Sequence, residues 1–574
     1  MTTAADAAPA AATDTAALDR AVETLAAGKQ RWAERSVADR LDLLYACRRA
    51  WVRVAPEMVR AGCLAKGLDP DAPESAEEWL SGPLSIVRNI RLLIQSLEQI
   101  RDEGRPALRR GAIWRLANGA LAVNVFPRHT FERLFYPGVQ IDVWMEPGLD
   151  EDHLHETRAG VYRADAPREG RLALVLGAGN VASIGPMDAL HKLFVESQAA
   201  IVKMHPVNAY LGPFVERGFR PLIDAAALRV VYGDAAEGSH LVHHPDVDEI
   251  HITGSAAVHD RIVWGETAGE QATRRAAGTP KVTKRVTSEL GCVTPVIVVP
   301  GRWTDAEIGY HADNVATMVA LNASCNCNAA KLIVTWKDWP QRRVFLDRLA
   351  QILAALPPRQ AYYPGSLAKY DRFGHAHPEA RALGPRGPTT LPFTTIFDVD
   401  PQRTDDIAFT EEAWCPILAE TALAADDAAH FLEAAVSFCN DTVQGTLSCV
   451  LLADPDARVR LGSRFDAAVA ALRYGTVAVN HWSAMSYVLA VAPWGAFPGH
   501  TLASVGSGLG VVHNTLMLPR PQKTVLWGPF TSWPRPAWFV THRRRHEVAR
   551  RMVPFEASPA AWRVPGIGLA ALRR

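Results

Sequence analysis

Two cysteines stand one residue apart in the segment NASCNCNAAK (322–331), just before the apolar run LIVTW. A cysteine thiolate is a strong nucleophile, and a nearby charge or a helix N-terminus can lower the pKa of the thiol enough to form it. Zinc binding would require further Cys or His ligands at suitable spacing, and the neighbouring sequence has none. A buried, inert cysteine is the other interpretation of either residue. The sequence therefore offers Cys325 and Cys327 as candidate nucleophiles.

A carboxylate and three strand ends could supply further chemistry. Glu289 lies in SELG, between a polar loop and a strand, where a surface carboxylate is commoner than a catalytic one. Asn180 follows the run LALVLGAG, Lys203 lies in IVKMHP, and the turn TGS (253–255) follows DEIHI. Ligands of open parallel sheets bind at the carboxyl ends of strands, and a glycine turn before a helix exposes N–H groups to phosphate. A tight turn without a ligand and a solvated lysine are the alternatives.

These positions fall at the ends of alternating strands and helices. From Arg171 to Ser255, four apolar runs are separated by helical patterns, which predicts a parallel, doubly wound sheet. The runs TPVIVVPG and KLIVTW repeat the alternation, so a second α/β domain is expected from about residue 290. Three- and four-residue spacing of Ala, Leu, Arg and Glu from Leu18 to Ile100 predicts several amphipathic helices.

Length and composition are those of a globular protein with several domains. The chain has 574 residues, 48% of them hydrophobic and 21% charged, and its formal net charge is zero. A neutral chain gives no reason to expect nucleic acid as a partner. The sequence predicts neither a signal peptide nor a transmembrane segment. Eight scattered cysteines favour free thiols in a reducing cytoplasm.

The order of these motifs resembles the aldehyde dehydrogenase superfamily over about residues 170–512. GAGNVASIGPMDALHKLFVESQAAIVKMHP is similar to the family's segment with the active-site asparagine and the nucleotide-binding lysine. YGDAAEGSHLVHHPDVDEIHITGS resembles its glycine turn and Thr-Gly-Ser turn, SELG its catalytic-glutamate motif, and NASCNCNAAK its catalytic-cysteine motif. EEAWCPIL, YGTVAVNHW and PWGAFPG are similar to further landmarks of the family, in the family's order.

The resemblance implies an NAD(P)-dependent oxidoreductase that converts an aldehyde to a carboxylic acid through a cysteine thiohemiacetal and a thioester. Cys327 is then the nucleophile, because aligning Asn322 with the motif's leading asparagine puts residue 327 in register. Asn180 and the backbone N–H of Cys327 would hold the oxyanion, and Glu289 would activate the deacylating water.

The resemblance also implies a nucleotide site for NAD or NADP, with NAD favoured, and no metal ion. Lys203 and Glu412 are expected at the ribose, and Gly254 and Ser255 near the pyrophosphate. The residues expected to bind the cofactor are Lys203, Gly233, Gly238, Gly254, Ser255 and Glu412. A small-molecule aldehyde is the expected substrate, and a homo-oligomer in the cytoplasm is the expected assembly.

The implied fold is α/β, with a helical N-terminal region, a Rossmann-type nucleotide-binding domain and a second α/β domain that carries the cysteine. The expected boundaries are a flexible lead-in at 1–15, the N-terminal helices and nucleotide-binding domain at 16–289 with part of 472–512, the catalytic domain at 290–471, and a basic, tryptophan-rich extension at 519–574.

Several positions depart from the family's pattern. His259 stands where a glycine is expected, and the segment between Thr-Gly-Ser and Glu289 is longer than usual. KMHP lacks the carboxylate that commonly favours NAD over NADP. Trp414 and Cys415 replace the usual Phe-Gly, and the cysteine motif is one residue short before Lys331.

Two other functions fit the same resemblance. A CoA-linked acyl reductase of the superfamily has a similar GAGN turn and His-Pro, but its members often lack the base that Glu289 would supply. A scaffold without catalysis would explain the departures, but Asn180, Glu289 and Cys327 are all retained. A requirement for CoA rather than water in product release separates the two enzymatic functions.

The chain after residue 519 lies beyond the resemblance. It has eleven lysines and arginines against two acidic residues, together with four tryptophans. Because the whole chain is neutral, this tail is expected to fold back on an acidic face or on a neighbouring subunit. The alternative is a weak, salt-sensitive peripheral contact with anionic lipid, since tryptophan beside clustered arginine suits a membrane interface.

Overall fold

The structure is a computed structural model that describes residues 11–573. The first helix begins at Thr15, where the Asp14 side chain caps it. Thr13 exchanges two bonds with Tyr232: its N–H donates to the carbonyl oxygen at 3.2 Å, and its Oγ1 accepts from the N–H at 2.9 Å. Residues 1–10 of the expected flexible lead-in lie outside the described residues, and its last residues are held against the domain by these bonds.

The described residues form twenty-one strands in four sheets. The strands are β1 Ile113–Arg115, β2 Leu121–Phe126, β3 Gln140–Met145, β4 Leu172–Leu176, β5 Ala199–Lys203, β6 Leu228–Val231, β7 Glu249–Thr253, β8 Arg285–Glu289, β9 Pro295–Val298, β10 Leu332–Trp336, β11 Arg359–Gln360, β12 Arg381–Ala382, β13 Thr390–Leu391, β14 Thr394–Val399, β15 Ile417–Leu423, β16 Ser448–Leu452, β17 Thr476–Val479, β18 Pro493–Gly495, β19 Gly508–Leu509, β20 Val511–His513 and β21 Pro521–Trp527.

The predicted N-terminal helices are confirmed as α1, α2 and α4, with the short α3 between them. The α-helices are α1 Thr15–Glu34, α2 Val37–Ala65, α3 Ala76–Trp79, α4 Ser85–Glu103, α5 Thr130–Phe135, α6 Glu151–Thr157, α7 Ile184–Leu190, α8 Gly212–Gly218, α9 Arg220–Asp224, α10 Ala235–His243, α11 Ala256–Trp264, α12 Ala268–Ala277, α13 Asp305–Ala320, α14 Arg342–Ala354, α15 Ser366–Ala376, α16 Ile407–Thr410, α17 Ala428–Asp441, α18 Pro455–Leu461, α19 Ser463–Ala471, α20 Ala484–Leu489, α21 Arg545–Ala557 and α22 Val564–Leu572.

The six-stranded sheet is the predicted doubly wound sheet. Its order is β19-β8-β7-β4-β5-β6, and every strand except β19 runs parallel to its neighbours. β4, β5 and β7 are buried almost throughout, because helices cover both faces of such a sheet. The chain order reverses between β4 and β7, so a ligand crevice is expected at the carboxyl ends of those two strands.

The eleven-stranded sheet contains the predicted second set of strands. Its order is β1-β2-β3-β21-β17-β16-β9-β10-β15-β14-β12, in which the central seven strands run parallel and both edges are antiparallel. The expected boundaries need a correction here. Strands β1 to β3 lie within the expected 16–289 domain but belong to this sheet, because β3 pairs with β21 over six positions.

The basic tail is part of the core rather than an extension from 519. β21 lies inside the large sheet between β3 and β17. In α21, Glu556 accepts from Arg88 at 2.8 Å and from Arg91 at 2.5 Å, and all three side chains are buried. Arg545 pairs with Glu74 at 2.8 Å. The expectation that the tail folds back on acidic groups is therefore confirmed for these contacts.

The tail also leaves two aromatic side chains in solvent. Trp533 is 82% exposed and Trp562 is 73% exposed. Within residues 11–573, no helix has the length and the apolar composition needed to cross a membrane.

Candidate active site

The carboxyl ends of β4, β5, β7 and β8 open onto a cavity of about 510 Å³. Its walls are the loop after β4, one side of α10 and of α11, and the segments around residues 327, 363 and 414. Eight of the nine predicted site residues line this cavity: Asn180, Lys203, Gly238, Gly254, Ser255, Glu289, Cys327 and Glu412. The fold thus brings together residues that the sequence offered separately, at the crevice expected from the strand order.

Cys327 is presented by a tight turn between α13 and β10, here named the cysteine turn (residues 322–327). Asn322, Ala323 and Ser324 have φ values of 57°, 52° and 64°. This left-handed conformation costs about 1–2 kcal/mol for each residue that carries a Cβ. Because three such residues follow one another, contacts from other elements must hold the turn in place.

Those contacts come from the N-terminal helices. The Asn322 side-chain oxygen accepts from Lys66 Nζ at 2.8 Å and from the Tyr362 hydroxyl at 2.9 Å. The Asn322 backbone N–H donates to Glu77 Oε2 at 2.9 Å. Lys66 is paired with Glu78 at 2.6 Å, and both side chains are buried. A buried ion pair distant in sequence therefore holds the cysteine turn.

The Cys327 thiol donates to Glu289 Oε1 across 3.3 Å. Burial and the carboxylates of Glu289 and Glu412 raise the pKa of the thiol well above its usual range, and Lys331 opposes them. Burial raises the pKa of Glu289 to about 7, and the charge of Asp188 adds to the rise. The pair therefore rests as a thiol beside a carboxyl group that changes protonation near neutral pH, as a nucleophile and its base require.

Cys325 lies outside the cavity. Its Sγ donates to the Trp414 carbonyl oxygen at 3.5 Å, and burial raises the pKa of its thiol to about 11. This geometry favours Cys327 as the nucleophile. The zinc interpretation gains no support, because the described residues contain no group of three or more His, Cys, Asp or Glu side chains arranged to hold a metal ion.

Asn180 joins the loop after β4 to the cysteine turn. Its Nδ2 donates to the Cys325 carbonyl oxygen at 2.9 Å. Its own carbonyl oxygen accepts from Lys66 Nζ at 3.1 Å and from Asn322 Nδ2 at 2.9 Å. An amide nitrogen carries two hydrogens, so Asn180 keeps a second donor beside the turn. This position fits the oxyanion role that the resemblance implies.

Lys203 ends β5 and lies along the cavity wall. A Cβ at Gly238 would come 3.8 Å from Lys203 Cδ and Cε, so this position packs against the lysine stem. Burial lowers the pKa of Lys203, and Asp234 opposes the change. Gly233 is the one predicted site residue that does not line the cavity. Its φ of 140° allows the chain to turn from β6 into α10, a conformation open to glycine.

Gly254 and Ser255 connect β7 to α11. Ser255 Oγ caps the helix by accepting from the Val258 N–H at 3.3 Å, and the Gly254 N–H donates to the Glu289 carbonyl oxygen at 3.0 Å. Ala235, the first residue of α10, and Ser255, the N-cap of α11, both line the cavity, and helix N-termini favour negatively charged groups. A lysine ammonium, two helix N-termini and an open glycine turn fit the phosphates of a dinucleotide.

Glu412 and Trp414 reach the cavity from the loop between α16 and β15. Glu412 Oε1 lies 3.4 Å from Lys331 Nζ and accepts no hydrogen bond from the described residues. Trp414 Nε1 is also buried without a described partner. Unpartnered polar atoms in a cavity wall fit a ligand with hydroxyl groups, such as a ribose.

Two of the departures from the family's pattern, His259 and the longer segment before Glu289, can be located in the structure. His259 is fully buried in α11, away from the cavity, with its Nδ1 3.3 Å from Asp260 Oδ1. The longer segment before Glu289 forms α12, and Glu266 and Lys281 on either side of that helix line the cavity. The additional segment therefore contributes to the wall of the proposed nucleotide site.

Sequence reasoning missed the polar groups behind Glu289 and the anchor of the cysteine turn. Asp188 on α7 and His251 on β7 lie 3.5 Å apart and are both buried. The only sequence signals for them were the carboxylate in GPMDALHKLF and the histidine in DEIHI. Lys66 and Glu78 gave no local signal, because charged residues are common throughout the N-terminal helices.

These features define a class of α/β proteins. In this class, a crevice of the kind that binds dinucleotides opens onto a cysteine that contacts a carboxylate. Residues 213–364 match the sequence model of the aldehyde dehydrogenase family. A search of curated protein sequences found no match. This match covers part of the chain and shows a resemblance to the aldehyde dehydrogenase family there, and the predicted α/β fold is confirmed.

Solved structures share this fold over most of the chain. An indole-3-acetaldehyde dehydrogenase in complex with NAD+ is 17% identical, with 90% of this chain and 89% of that chain covered and a TM-score of 0.59. The aldehyde dehydrogenase KauB from Pseudomonas aeruginosa is 16% identical, with coverage of 90% and 89% and a TM-score of 0.60. An NADP-dependent glyceraldehyde-3-phosphate dehydrogenase from Bacillus halodurans, complexed with NADP, is 16% identical, with coverage of 89% and 91% and a TM-score of 0.58.

Proposed function

We propose that this protein oxidises an aldehyde to a carboxylic acid with NAD+ or NADP+, through a thioester on Cys327. The observation that carries the proposal is the 3.3 Å contact between the Cys327 thiol and Glu289 at the wall of the cavity. A nucleophile beside a base whose pKa is about 7 is the arrangement that acyl chemistry at neutral pH needs.

In the first step, Glu289 accepts the proton of the Cys327 thiol, and the thiolate adds to the aldehyde carbonyl to form a thiohemiacetal. Asn180 Nδ2 and the Cys327 backbone N–H stabilise the negative oxygen that develops in this step. After oxidation to the thioester, Glu289 takes a proton from water. That water releases the acid and leaves Cys327 as the thiolate.

The residues at the sheet edge fit a nicotinamide dinucleotide. Lys203 and Glu412 would hold a ribose, and Gly254, Ser255 and the first turns of α10 and α11 would hold the phosphates. A bound nicotinamide dinucleotide would supply the hydride acceptor, because no side chain of the protein can accept a hydride. Two structures of similar fold contain NAD+ and NADP respectively, and the Lys203 strand end lacks the carboxylate that commonly selects NAD.

Water is the proposed acyl acceptor because Glu289 is retained within reach of Cys327. CoA remains the alternative acceptor, with the GAGN turn and the His-Pro after Lys203 in its favour. We also propose a location in the cytoplasm, in line with eight cysteines that are all free thiols, and a homo-oligomer on the family resemblance alone.

The test is the formation of NADH and NADPH from a panel of aldehydes, with and without CoA. We expect the reduced nucleotide and the free acid in equal amounts without CoA. Product that forms only when CoA is present would replace water by CoA as the acceptor. No reduced nucleotide with any aldehyde, in protein whose Cys327 reacts with iodoacetamide, would contradict the proposal. Sedimentation measures the oligomeric state independently.

A further inference from the structure

Strands β7 and β8 carry polar side chains at alternate positions of one face. The parallel register pairs Glu249 with Arg285, His251 with Thr287, and Thr253 with Glu289. Alternate residues of a strand point to one side of a sheet, and residues paired across strands share that side. These six residues form three successive rungs, here named the polar ladder. It begins at Arg285, which is 53% exposed, and ends at Glu289 in the cavity wall.

Hydrogen-bonding groups connect the rungs. Thr253 Oγ1 and His251 Nε2 lie 3.2 Å apart, and His251 Nδ1 and Thr287 Oγ1 lie 2.9 Å apart. Asp188 of α7 faces the same rungs. Its Oδ2 accepts from Thr253 Oγ1 at 3.1 Å and lies 3.5 Å from His251 Nε2.

Lys192 lies in the helical turn that follows α7 and connects Thr287 to the protein surface. Its Nζ donates to Thr287 Oγ1 at 3.3 Å and to Glu196 Oε2 at 2.6 Å. The Lys192 side chain is buried, whereas Glu196 is partly exposed and also pairs with Arg285 at 3.1 Å. A chain of donors and acceptors therefore runs from the neighbour of Glu289 to solvent.

The proposed reaction requires Glu289 to release the protons that it accepts. In the proposed reaction it takes up a proton from water in each turnover, in addition to the proton of the Cys327 thiol that it accepts before the first. Its side chain is buried, and its Oε2 has no hydrogen-bond partner among the described residues. The cavity offers another way to solvent, but the nucleotide would occupy that space. A carboxyl group so enclosed must release each proton through the protein.

We propose that the polar ladder, together with Asp188 and Lys192, is the route by which protons leave Glu289, an inference that rests on the proposed function. Glu289 and Thr253 stand opposite each other on strands about 4.8 Å apart, a separation that rotation of the carboxyl group can bridge. The Glu289 O–H bond breaks, and the proton passes by way of Thr253 and Asp188 to His251.

His251 accepts a proton on one ring nitrogen and releases another to Thr287 from its second nitrogen, as histidine proton shuttles do. Lys192 gives a proton to Glu196 as it takes one from Thr287. One proton reaches water at Glu196 for each proton that Glu289 accepts, and no group in the route is oxidised or reduced.

Other titratable groups near Glu289 and Asp188 do not offer this route. Burial raises the pKa of Tyr487 well above its usual range. Burial lowers the pKa of His513 to about 3. Both side chains therefore stay neutral near neutral pH, and both nitrogens of His513 lack a hydrogen-bond partner among the described residues.

The test compares His251→Gln and Asp188→Asn with the matched control His377→Gln. His377 is also a buried histidine beside a buried aspartate, 2.9 Å from Asp406, but it lies outside the ladder. We expect the ladder variants to keep the first-turnover burst of reduced nucleotide and to lose about tenfold to a hundredfold in kcat. Higher concentrations of imidazole buffer should restore part of kcat in these variants only. The control should keep the kcat of the unchanged protein.

A second measurement needs neither nucleotide nor aldehyde. The rate of Cys327 alkylation by iodoacetamide should rise with pH as the thiolate forms, at a midpoint that the Glu289 carboxylate raises, and Asp188→Asn should lower this midpoint by removing a negative charge. A ladder variant with the kcat of the control, or a loss of kcat that does not respond to buffer, overturns the proposal. If the unchanged protein reduces no nucleotide, the proposed function fails. In that case, an alkylation midpoint that does not shift in Asp188→Asn overturns the ladder proposal as well.

Discussion

Cys327 and Cys325 are chemically alike but lie in different surroundings. Cys327 lines the cavity and contacts Glu289, whereas Cys325 is buried against the Trp414 carbonyl. We expect Cys327→Ala to reduce turnover by about a thousandfold or more, as removal of a nucleophile does, with nucleotide binding and folding preserved. Cys325→Ala should keep most of the turnover and cost about 1 kcal/mol of stability. Steady-state kinetics and thermal unfolding measure both effects, and the opposite ranking would reverse the assignment.

Glu289 is expected to limit the hydrolytic step. In Glu289→Gln burial still raises the pKa of the Cys327 thiol, but the charge of Glu289 no longer adds to it. The thiol can then lose its proton to water, and the thioester accumulates. We expect a burst of reduced nucleotide near one equivalent for each active site, followed by a stall. Rapid-mixing absorbance measures the burst, and unchanged steady-state turnover would point to a different base.

The pH dependence follows from the same carboxyl group. Burial raises the pKa of Glu289 to about 7, so the basic form that accepts a proton is present above that pH and lost below it. We expect kcat/KM of the unchanged protein to fall as pH decreases through about 7. The burst rate of Glu289→Gln should not show this decrease at low pH. A profile that stays flat down to the ordinary pKa of a glutamate would contradict the assignment.

At the scale of elements, the cysteine turn depends on the helices that precede the nucleotide-binding strands. Lys66 donates to Asn322 and Asn180 and is paired with Glu78 in the interior. Lys66→Met leaves a buried carboxylate unpaired, which costs about 3–5 kcal/mol of stability. We expect lower turnover as well, because the left-handed turn loses an anchor. Denaturant unfolding and kinetics measure the two losses.

The double variant Lys66→Met/Glu78→Met separates the two effects. It removes both charges and should recover much of the stability, but it should not recover turnover, because Asn322 and Asn180 still lack the donor that Lys66 supplied. The exposed pair Arg220–Asp224 provides the control, since Arg220→Met should change stability by less than about 1 kcal/mol. Full recovery of turnover in the double variant would show that the anchor does not position the cysteine.

At the scale of the whole molecule, the tail closes the large sheet. Removal of residues 520–574 deletes β21 from between β3 and β17 and leaves Arg88 and Arg91 without Glu556. We therefore expect the truncated chain to be insoluble, because two buried arginines lose the charge of Glu556 and two strand edges lose their partner strand. Expression and size-exclusion chromatography measure this result.

The membrane alternative for the tail is tested without truncation. Trp533→Ser and Trp562→Ser change side chains that are almost fully exposed, so the fold should remain intact. Co-sedimentation with anionic vesicles at low and high salt compares this double variant with the unchanged protein. We expect neither to bind, because much of the basic charge is engaged inside the molecule. Salt-sensitive binding that the double variant loses would instead support the lipid contact.

The sequence by itself determined the local features of this protein. Alternating apolar runs predicted β4, β5, β6 and β7, because each strand is set by neighbouring residues. The ordered motifs predicted eight of the residues that line the cavity, including Asn180, Lys203 and Cys327. Such motifs are recoverable because each is short and continuous along the chain.

Only the tertiary structure decided which distant residues meet. Lys66 and Asn322 come together because helices and the cysteine turn pack in one interior, and no spacing along the chain encodes that contact. The polar ladder exists because β7 and β8 pair in one register, since a shift by one residue would turn its side chains to the opposite face. The tail becomes a central strand rather than an extension for the same reason: strand pairing depends on partners far away in sequence, here β3 and β17.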